Sequence, residues 1–253
     1  VQQLGSVMSV IDTNRIHVAF LLGPNKSTVY PEYFPFSQPW FVDGGYQSHH
    51  YYGAKALDHL RIRTHPNLAI YDPTPDLWKA KEALTSNETL YYRTDSHWNA
   101  RGAFVAYQGL MTQLGLESIG VTFTELPFQK GDLADMVGKS FPVSTQVGDN
   151  WEANLGTMGA IVKDVHSAVK KTPFGDVGVV SNPAAVHKKV LWVVGDSFTQ
   201  ALRPYFNQTF TEVHYLGHIS DLLLNRDEPA LIKMLKDYPN PDVIVFIRVE
   251  RAL

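Results

Sequence analysis

The chain has no cysteine, and that one absence removes disulfides, thiolate nucleophiles and cysteine-ligated metals together. Charge of one sign is also missing: 22 basic against 25 acidic residues give a formal net charge of −3. No basic block offers a surface for nucleic acid or an anionic membrane. No apolar run approaches the length of a membrane span. The opening Val1-Gln2-Gln3-Leu4-Gly5 has neither a methionine nor the form of a signal peptide. The sequence therefore reads as a processed or trimmed product, with any export signal or anchor absent from it. Internal repeats, low-complexity tracts and convincing linkers are lacking too. A single domain over residues 1–253, with an irregular insertion at about 120–185, is the expected organisation. What is present is enough to bury a core: 44% apolar residues and 19% charged.

The most informative stretch runs from Lys188 to Leu202. Val190-Leu191-Trp192-Val193-Val194 is continuously apolar, the pattern of a strand covered on both faces in a parallel sheet. Gly195-Asp196-Ser197 breaks it, and Phe198, Leu202 and Tyr205 follow at helical spacing. A strand turning sharply into a helix puts Ser197 at the carboxyl end of the sheet, where open α/β folds place their ligands. The free N–H groups of the helix start would point there. A serine hydroxyl so placed is a candidate nucleophile with backbone donors for an oxyanion. The alternative is that Asp196 or Ser197 caps the helix.

Further strands are expected at Arg15–Leu22, Leu68–Tyr71, Val213–Leu216 and Asp242–Ile247. The first ends at Gly23-Pro24-Asn25, a turn signal. Lys26 and Tyr30 in the loop after it are candidates to face a ligand, the alternatives being solvent exposure and packing. Residues 34 to 44 read as a loop, and Tyr46, His50, Ala54, Leu57 and Leu60 as a helix. Asp76 is placed to begin a helix carrying Leu77, Trp78, Ala80 and Leu84. Thr89-Leu90-Tyr91-Tyr92 is β-prone. Asn99 is a suitable N-cap for a helix burying Ala103, Phe104, Ala106, Tyr107, Leu110, Met111 and Leu114 and closed by Gly115. Loops and short strands over 120 to 185 are expected to cover one end of the sheet, and a helix is expected around Ala230 to Leu235. Strands alternating with helices predict an α/β fold with a mainly parallel sheet flanked by helices.

Asp95-Ser96-His97 ends the extended segment just before that Asn99 helix. Residues at i and i+2 of an extended chain point to one side, so Asp95 and His97 can act as a pair. A carboxylate fixes the imidazole tautomer and stabilises the imidazolium formed when it takes a proton from serine. Asp95 as a cap and His97-Trp98 as packing residues are the alternatives. With Ser197 the pair supplies nucleophile, base and orienter, the parts that acyl transfer needs. A metal site is the chemical rival, using Asp95, His97 and a third histidine from His49, His50, His214 or His218. No histidine pair at i, i+4 is set in an H-E-x-x-H pattern, and a metal would leave the serine turn unexplained.

Tyr92-Arg93-Thr94-Asp95-Ser96-His97-Trp98-Asn99 with Gly102, and Gly195-Asp196-Ser197-Phe198, resemble the alginate O-acetyltransferase family. Gly23-Pro24-Asn25-Lys26-Ser27-Thr28-Val29-Tyr30-Pro31-Glu32, Gly131-Asp132-Leu133-Ala134 and Val249-Glu250-Arg251 are similar to it as well. The resemblance implies an SGNH-hydrolase-like domain in which the Asp-x-His pair precedes the serine. It implies Ser197 as nucleophile, His97 as base and Asp95 as orienter. Ordinary SGNH enzymes place an oxyanion asparagine after a strand like the last one, where this sequence has Arg248, Glu250 and Arg251. The N–H groups of Ser197 and Gly217 are the oxyanion donors that remain. Arg251 is a candidate for a uronate carboxylate, with Glu250 or Asp196 as competing partners. Some relatives add a carbohydrate-binding module; this sequence stops at Leu253, so polymer capture is expected of the domain's own cleft or a partner.

The expected activity is serine-dependent O-acetyl transfer to an exported, alginate-like polysaccharide through an acyl-enzyme, without a cofactor. The resemblance also implies a periplasmic or otherwise extracytoplasmic location, with an N-terminal membrane anchor outside this sequence an open alternative. It further implies a membrane-embedded acyltransferase partner that passes acetyl groups outward. Two other readings stand beside this one: a carbohydrate acetyl esterase with the same triad, and a non-catalytic polysaccharide-binding component of a secretion complex. The 12 tyrosines and 5 tryptophans would suit sugar stacking in the last of these.

Overall fold

Three apolar runs become adjacent strands at the centre of a seven-stranded sheet. The computed structural model describes residues 8, 11–13, 15–33, 68–85, 87–137, 148–155, 166–172, 175–216 and 241–252. The main strands are β1 (His17–Gly23), β2 (Leu68–Tyr71), β5 (His166–Thr172), β6 (Gly175–Ser181), β7 (His187–Gly195), β8 (Phe210–Tyr215) and β9 (Val243–Val249). Their order is β2-β1-β9-β7-β8-β6-β5. The first five are parallel, whereas β6 and β5 add antiparallel pairings at one edge. The α/β architecture with a mainly parallel sheet expected from the sequence is the one formed.

The continuous runs exist because both faces of the central strands are buried. Side chains alternate across a strand, so Ala19, Leu21, Leu191, Val193, Val245 and Ile247 enter one core. Val18, Phe20, Leu22, Trp192, Val194, Ile244 and Phe246 enter the other. The first core is closed by α3 (Ala100–Gln113), which buries Ala103, Ala106, Tyr107, Leu110 and Met111. Asn99 caps that helix as expected, its side-chain oxygen accepting from the Gly102 N–H.

Four local expectations are corrected. The helix α2 (Thr74–Glu82) begins two residues before Asp76; Asp72 accepts the Thr74 N–H instead, and Asp76 accepts from the Tyr71 hydroxyl. Thr89–Tyr92 forms no strand but one isolated bridge, Tyr91 to Trp98, because the chain doubles back at once. The segment after Gly195 starts as a 3-10 helix (Ser197–Leu202) and only then becomes α5 (Arg203–Thr209), although Phe198, Leu202 and Tyr205 are all buried. Within 120–185, β3 (Thr122–Glu125) pairs with β4 (Trp151–Asn154), while β5 and β6 widen the main sheet rather than cover its end. The expectations at 34–44, Tyr46 to Leu60 with His49 and His50, Gly217, His218 and Ala230 to Leu235 lie outside the described residues. Among the described residues no helix is long and apolar enough to cross a membrane.

Gly23 and Gly195 align with Val249 and Ile247 of β9, so three strands end together at one edge. A methyl group on Gly195 would lie 2.1 Å from Thr199 Oγ1 and 3.1 Å from Ile247 Cβ. Gly195→Ala therefore forces the serine turn off the sheet and is expected to cost about 1–3 kcal/mol of stability in urea unfolding. Adding Thr199→Ala, which removes the clashing hydroxyl, should recover part of that loss.

Candidate active site

The turn after β7 divides two jobs between neighbouring residues. Asp196 is the cap: its Oδ1 accepts the Phe198 N–H at 3.0 Å. Its Oδ2 accepts the Val249 N–H at 2.6 Å, which ties the end of β7 to the end of β9. Ser197 is thereby left exposed at the start of the 3-10 helix, with its hydroxyl uncommitted to the backbone.

The second half of the site is a tight bend at 92–98, not an extended segment. Tyr92 N–H donates to His97 O, and Arg93 N–H donates to Asp149 at 2.8 Å. Asp95 and His97 meet through this bend: Asp95 Oδ1 accepts the His97 N–H at 2.9 Å and lies 2.5 Å from His97 Nδ1. The pairing that i, i+2 alternation suggested is present, but an Asx turn makes it. His97 Nε2 lies 2.7 Å from Ser197 Oγ, across 100 residues of chain. With a carboxylate at Nδ1, the tautomer assigned from the partners carries its proton there and offers the Nε2 lone pair to the serine.

A fourth acidic residue completes the arrangement. α4 (Asp132–Val137) starts beside the bend, and the Asp132 N–H donates to Asp95 Oδ2 at 3.2 Å. The Asp132 carboxylate accepts from Ser96 N–H at 2.7 Å and Ser96 Oγ at 2.6 Å, and lies 3.8 Å from His97 Nδ1. Gly131 permits this approach: a Cβ there would fall 2.4 Å from Asp95 Cβ. Asp95, His97 and Asp132 are the one group among the described residues with ligand atoms close enough to hold a metal. Their oxygens already face N–H and O–H donors, the pattern of a hydrogen-bonded orienting network.

With the geometry in place, comparison with known proteins decides the family. The family model described as the SGNH hydrolase-like domain of acetyltransferase AlgX matches residues 1–140. The chain belongs to this family. Among solved structures, Bacillus cereus PatB1 is 16% identical with a TM-score of 0.61, over 99% of this chain and 88% of that one. A DHHW family protein from Eubacterium siraeum is 12% identical with a TM-score of 0.65, over 99% and 84%. The O-acetyltransferase domain of Pseudomonas putida AlgJ is 16% identical with a TM-score of 0.58, over 98% and 80%. At such identities these likenesses speak to the fold. No curated protein sequence matches the chain.

Of the residues singled out from the sequence, this AlgX-family chain brings Ser197, His97 and Asp95 together. Lys26 faces inward: its ammonium donates to the carbonyls of Tyr92, Arg93 and Asp95. Tyr30 is buried and accepts the Leu90 N–H at 2.9 Å, and burial pushes its phenol up to about 12. Arg251 is exposed, its guanidinium 5.8 Å from the centre of the Phe198 ring. The two acids expected to compete for it have other work. Glu250 accepts from Asn25 N–H and Thr28 Oγ1, and Asp196 from the two amides above. His214 is buried in β8 against Glu212, on the sheet face opposite the site. Asp132 was invisible to spacing; its only signal was the Gly131-Asp132-Leu133-Ala134 similarity.

Burial of Asp95 opposes its charge, but hydrogen bonds from the His97 ring, the His97 N–H and the Asp132 N–H outweigh it and hold the carboxyl down at about 2. A carboxyl depressed below its ordinary 3.8 contributes stability that is present above that value and lost as pH falls through about 2. Asp95→Asn should therefore flatten the acid side of the stability curve. Urea unfolding stepped from pH 4 to pH 2 (roughly the carboxylate range) should show the wild type losing stability more steeply than the variant.

Proposed function

We propose that this protein is a serine-dependent O-acetyltransferase that adds acetyl groups to hydroxyls of an exported, alginate-like polysaccharide. The observation that carries the reading is the 2.7 Å contact of His97 Nε2 with Ser197 Oγ, backed by Asp95 at Nδ1. Ser197 Oγ attacks the acetyl carbonyl carbon while His97 takes its proton, and the imidazolium then protonates the departing donor group. In the second half His97 takes the proton of a sugar hydroxyl, the sugar oxygen attacks the acyl carbon, and Ser197 leaves with that proton. Asp95 remains ionised throughout and stabilises the imidazolium in both halves. The N–H groups of Ser197 and Gly217 are the proposed oxyanion donors. Arg251, exposed beside Phe198, is the proposed contact for a uronate carboxylate.

Membership of the AlgX family supports acetyl transfer to a polysaccharide as the reaction class. It also motivates the remaining parts of the proposal: an extracytoplasmic site of action and a membrane-embedded partner that supplies the acetyl group. The exposure of Ser197 favours one second reading, hydrolysis of the same acyl-enzyme by water.

Purified protein, a chromogenic acetyl ester and an unacetylated uronate oligosaccharide test the proposal, with mass spectrometry counting acetyl groups on the sugar. Acetylated sugar is expected with the wild type. Ser197→Ala and His97→Ala should each lower turnover by about 10⁴-fold or more, and Asp95→Asn by about 10²- to 10⁴-fold. Serine-dependent release of acetate with unmodified sugar selects the esterase. Turnover that survives Ser197→Ala rejects both.

A further inference from the structure

The bend that carries Asp95 and His97 exposes a problem of its own. Turning tightly, it brings several backbone carbonyls together with their negative ends converging, an arrangement that is unfavourable without a donor at the focus. Lys26 occupies that focus. Its Nζ donates to Tyr92 O at 2.6 Å, Arg93 O at 2.7 Å and Asp95 O at 3.2 Å, so the three N–H bonds of one ammonium meet three carbonyls of one loop.

The lysine is itself fixed to the sheet. It begins α1 (Lys26–Val29), directly after the turn that ends β1. Glu250, buried at the end of β9, accepts the Asn25 N–H at 2.8 Å and the Thr28 hydroxyl at 2.6 Å, on either side of Lys26. The Tyr91 hydroxyl donates to Pro24 O at 2.8 Å and, like Lys26, joins the turn after β1 to the chain that enters the bend. A rigid path thus runs from β9 through Glu250 and Lys26 to the loop.

We propose that Lys26 is a positioning residue, whose ammonium holds the Tyr92–Asp95 carbonyls so that Asp95 and His97 keep their alignment on Ser197. The proposal rests on reading Ser197, His97 and Asp95 as the reacting triad. A displacement of about 1 Å in such a constellation is worth roughly 10²-fold in rate, which sets the expected size of the effect.

The charged groups facing Lys26 are the carboxylates of Asp95, Asp149 and Asp132 and the guanidinium of Arg93. Burial lowers the lysine to about 8, the three carboxylates pulling the other way and Arg93 adding to the fall. A neutral amine keeps two N–H bonds for three carbonyls and turns its lone pair toward one of them, so alignment should loosen as pH rises through about 8. The native chain then holds fewer protons than the unfolded chain between about 8 and 10.5, so this titration does not itself destabilise the fold. Alkaline loss of turnover without loss of thermal stability is the signature.

The test compares wild type, Lys26→Met and Lys26→Arg in acetyl-ester turnover across neutral to alkaline pH, with the melting temperature followed alongside. A sulfonyl fluoride probe reports the reactivity of Ser197 independently of any substrate. In the wild type, kcat and the labelling rate should fall through about pH 8 while the melting temperature holds. Lys26→Met should lower kcat roughly 10- to 100-fold at neutral pH, leave KM within about threefold, and lack the alkaline limb. Lys26→Arg keeps a charge at all these pH values, so its turnover should exceed that of Lys26→Met and show no fall through about pH 8. Wild-type kcat in a folded Lys26→Met variant overturns the proposal, and so does the same alkaline limb in that variant. If Lys26→Met does not fold, the wild-type profile decides: constant turnover and labelling through about pH 8 overturn it. A wild type whose Ser197 is not labelled rejects the triad reading first and takes this proposal with it. Labelling that is normal in the wild type and unchanged by Lys26→Met rejects this proposal alone.

Discussion

Two residues that take no part in the proposed chemistry hold the reacting pair at hydrogen-bond distance. Trp98 follows His97 and Phe198 follows Ser197, and both are fully buried. The Trp98 indole N–H donates to the Phe198 carbonyl at 3.0 Å, and the two rings meet edge to face at 4.9 Å. Breaking this contact would strand a buried donor, at a cost of about 1–3 kcal/mol beyond the lost packing. The spacing of His97 Nε2 and Ser197 Oγ is therefore set by a buried joint one residue further along each chain. The pair can stay accessible to a large acceptor without becoming loose, because its rigidity is supplied from beneath.

Carboxylates are the couplers between the strand ends around that joint. Asp196 joins the end of β7 to β9, and Glu250 joins the end of β9 to the turn after β1. Asp149 takes the Arg93 N–H, and Asp132 takes two donors of Ser96. Each accepts from donors the chain would otherwise leave unpaired where strands give way to loops. A parallel sheet collects such ends at one edge, so the acidic residues gather there for structural reasons. This explains why neither Glu250 nor Asp196 is spent on Arg251.

The strands that build this edge were legible because burial on both faces demands uninterrupted apolar runs, as in Val190–Val194 and Val243–Ile247. Asn99 was legible because a cap is a local device. The serine turn was harder: capping and catalysis competed for one short motif, and the structure assigns the cap to Asp196 and leaves Ser197 exposed. The chain into the bend at 92–98 reads as extended because Thr89, Leu90 and Tyr91 are β-prone, but tertiary packing buries them and they form one bridge rather than a ladder. Lys26 and Asp132 were beyond local rules altogether. Lys26 reaches carbonyls 66 to 69 residues away, and Asp132 reaches Ser96 across 36. A lysine in a loop and an aspartate at a helix start carry no spacing that announces such contacts.

The placement of Asp132 bears on the cation that both proposed half-reactions share. In both proposed half-reactions the imidazole passes through the same imidazolium, once on attack by Ser197 and once on attack by the acceptor. That cation faces Asp95 at 2.5 Å and Asp132 at 3.8 Å from one ring nitrogen. Stabilising it lowers the barrier to acylation and to deacylation alike, whether the acceptor is a sugar or water. The choice between transfer and hydrolysis is therefore not made by the Asp–His–Ser line. In the proposed reaction that choice falls to the groups that meet the acceptor at the exposed hydroxyl of Ser197.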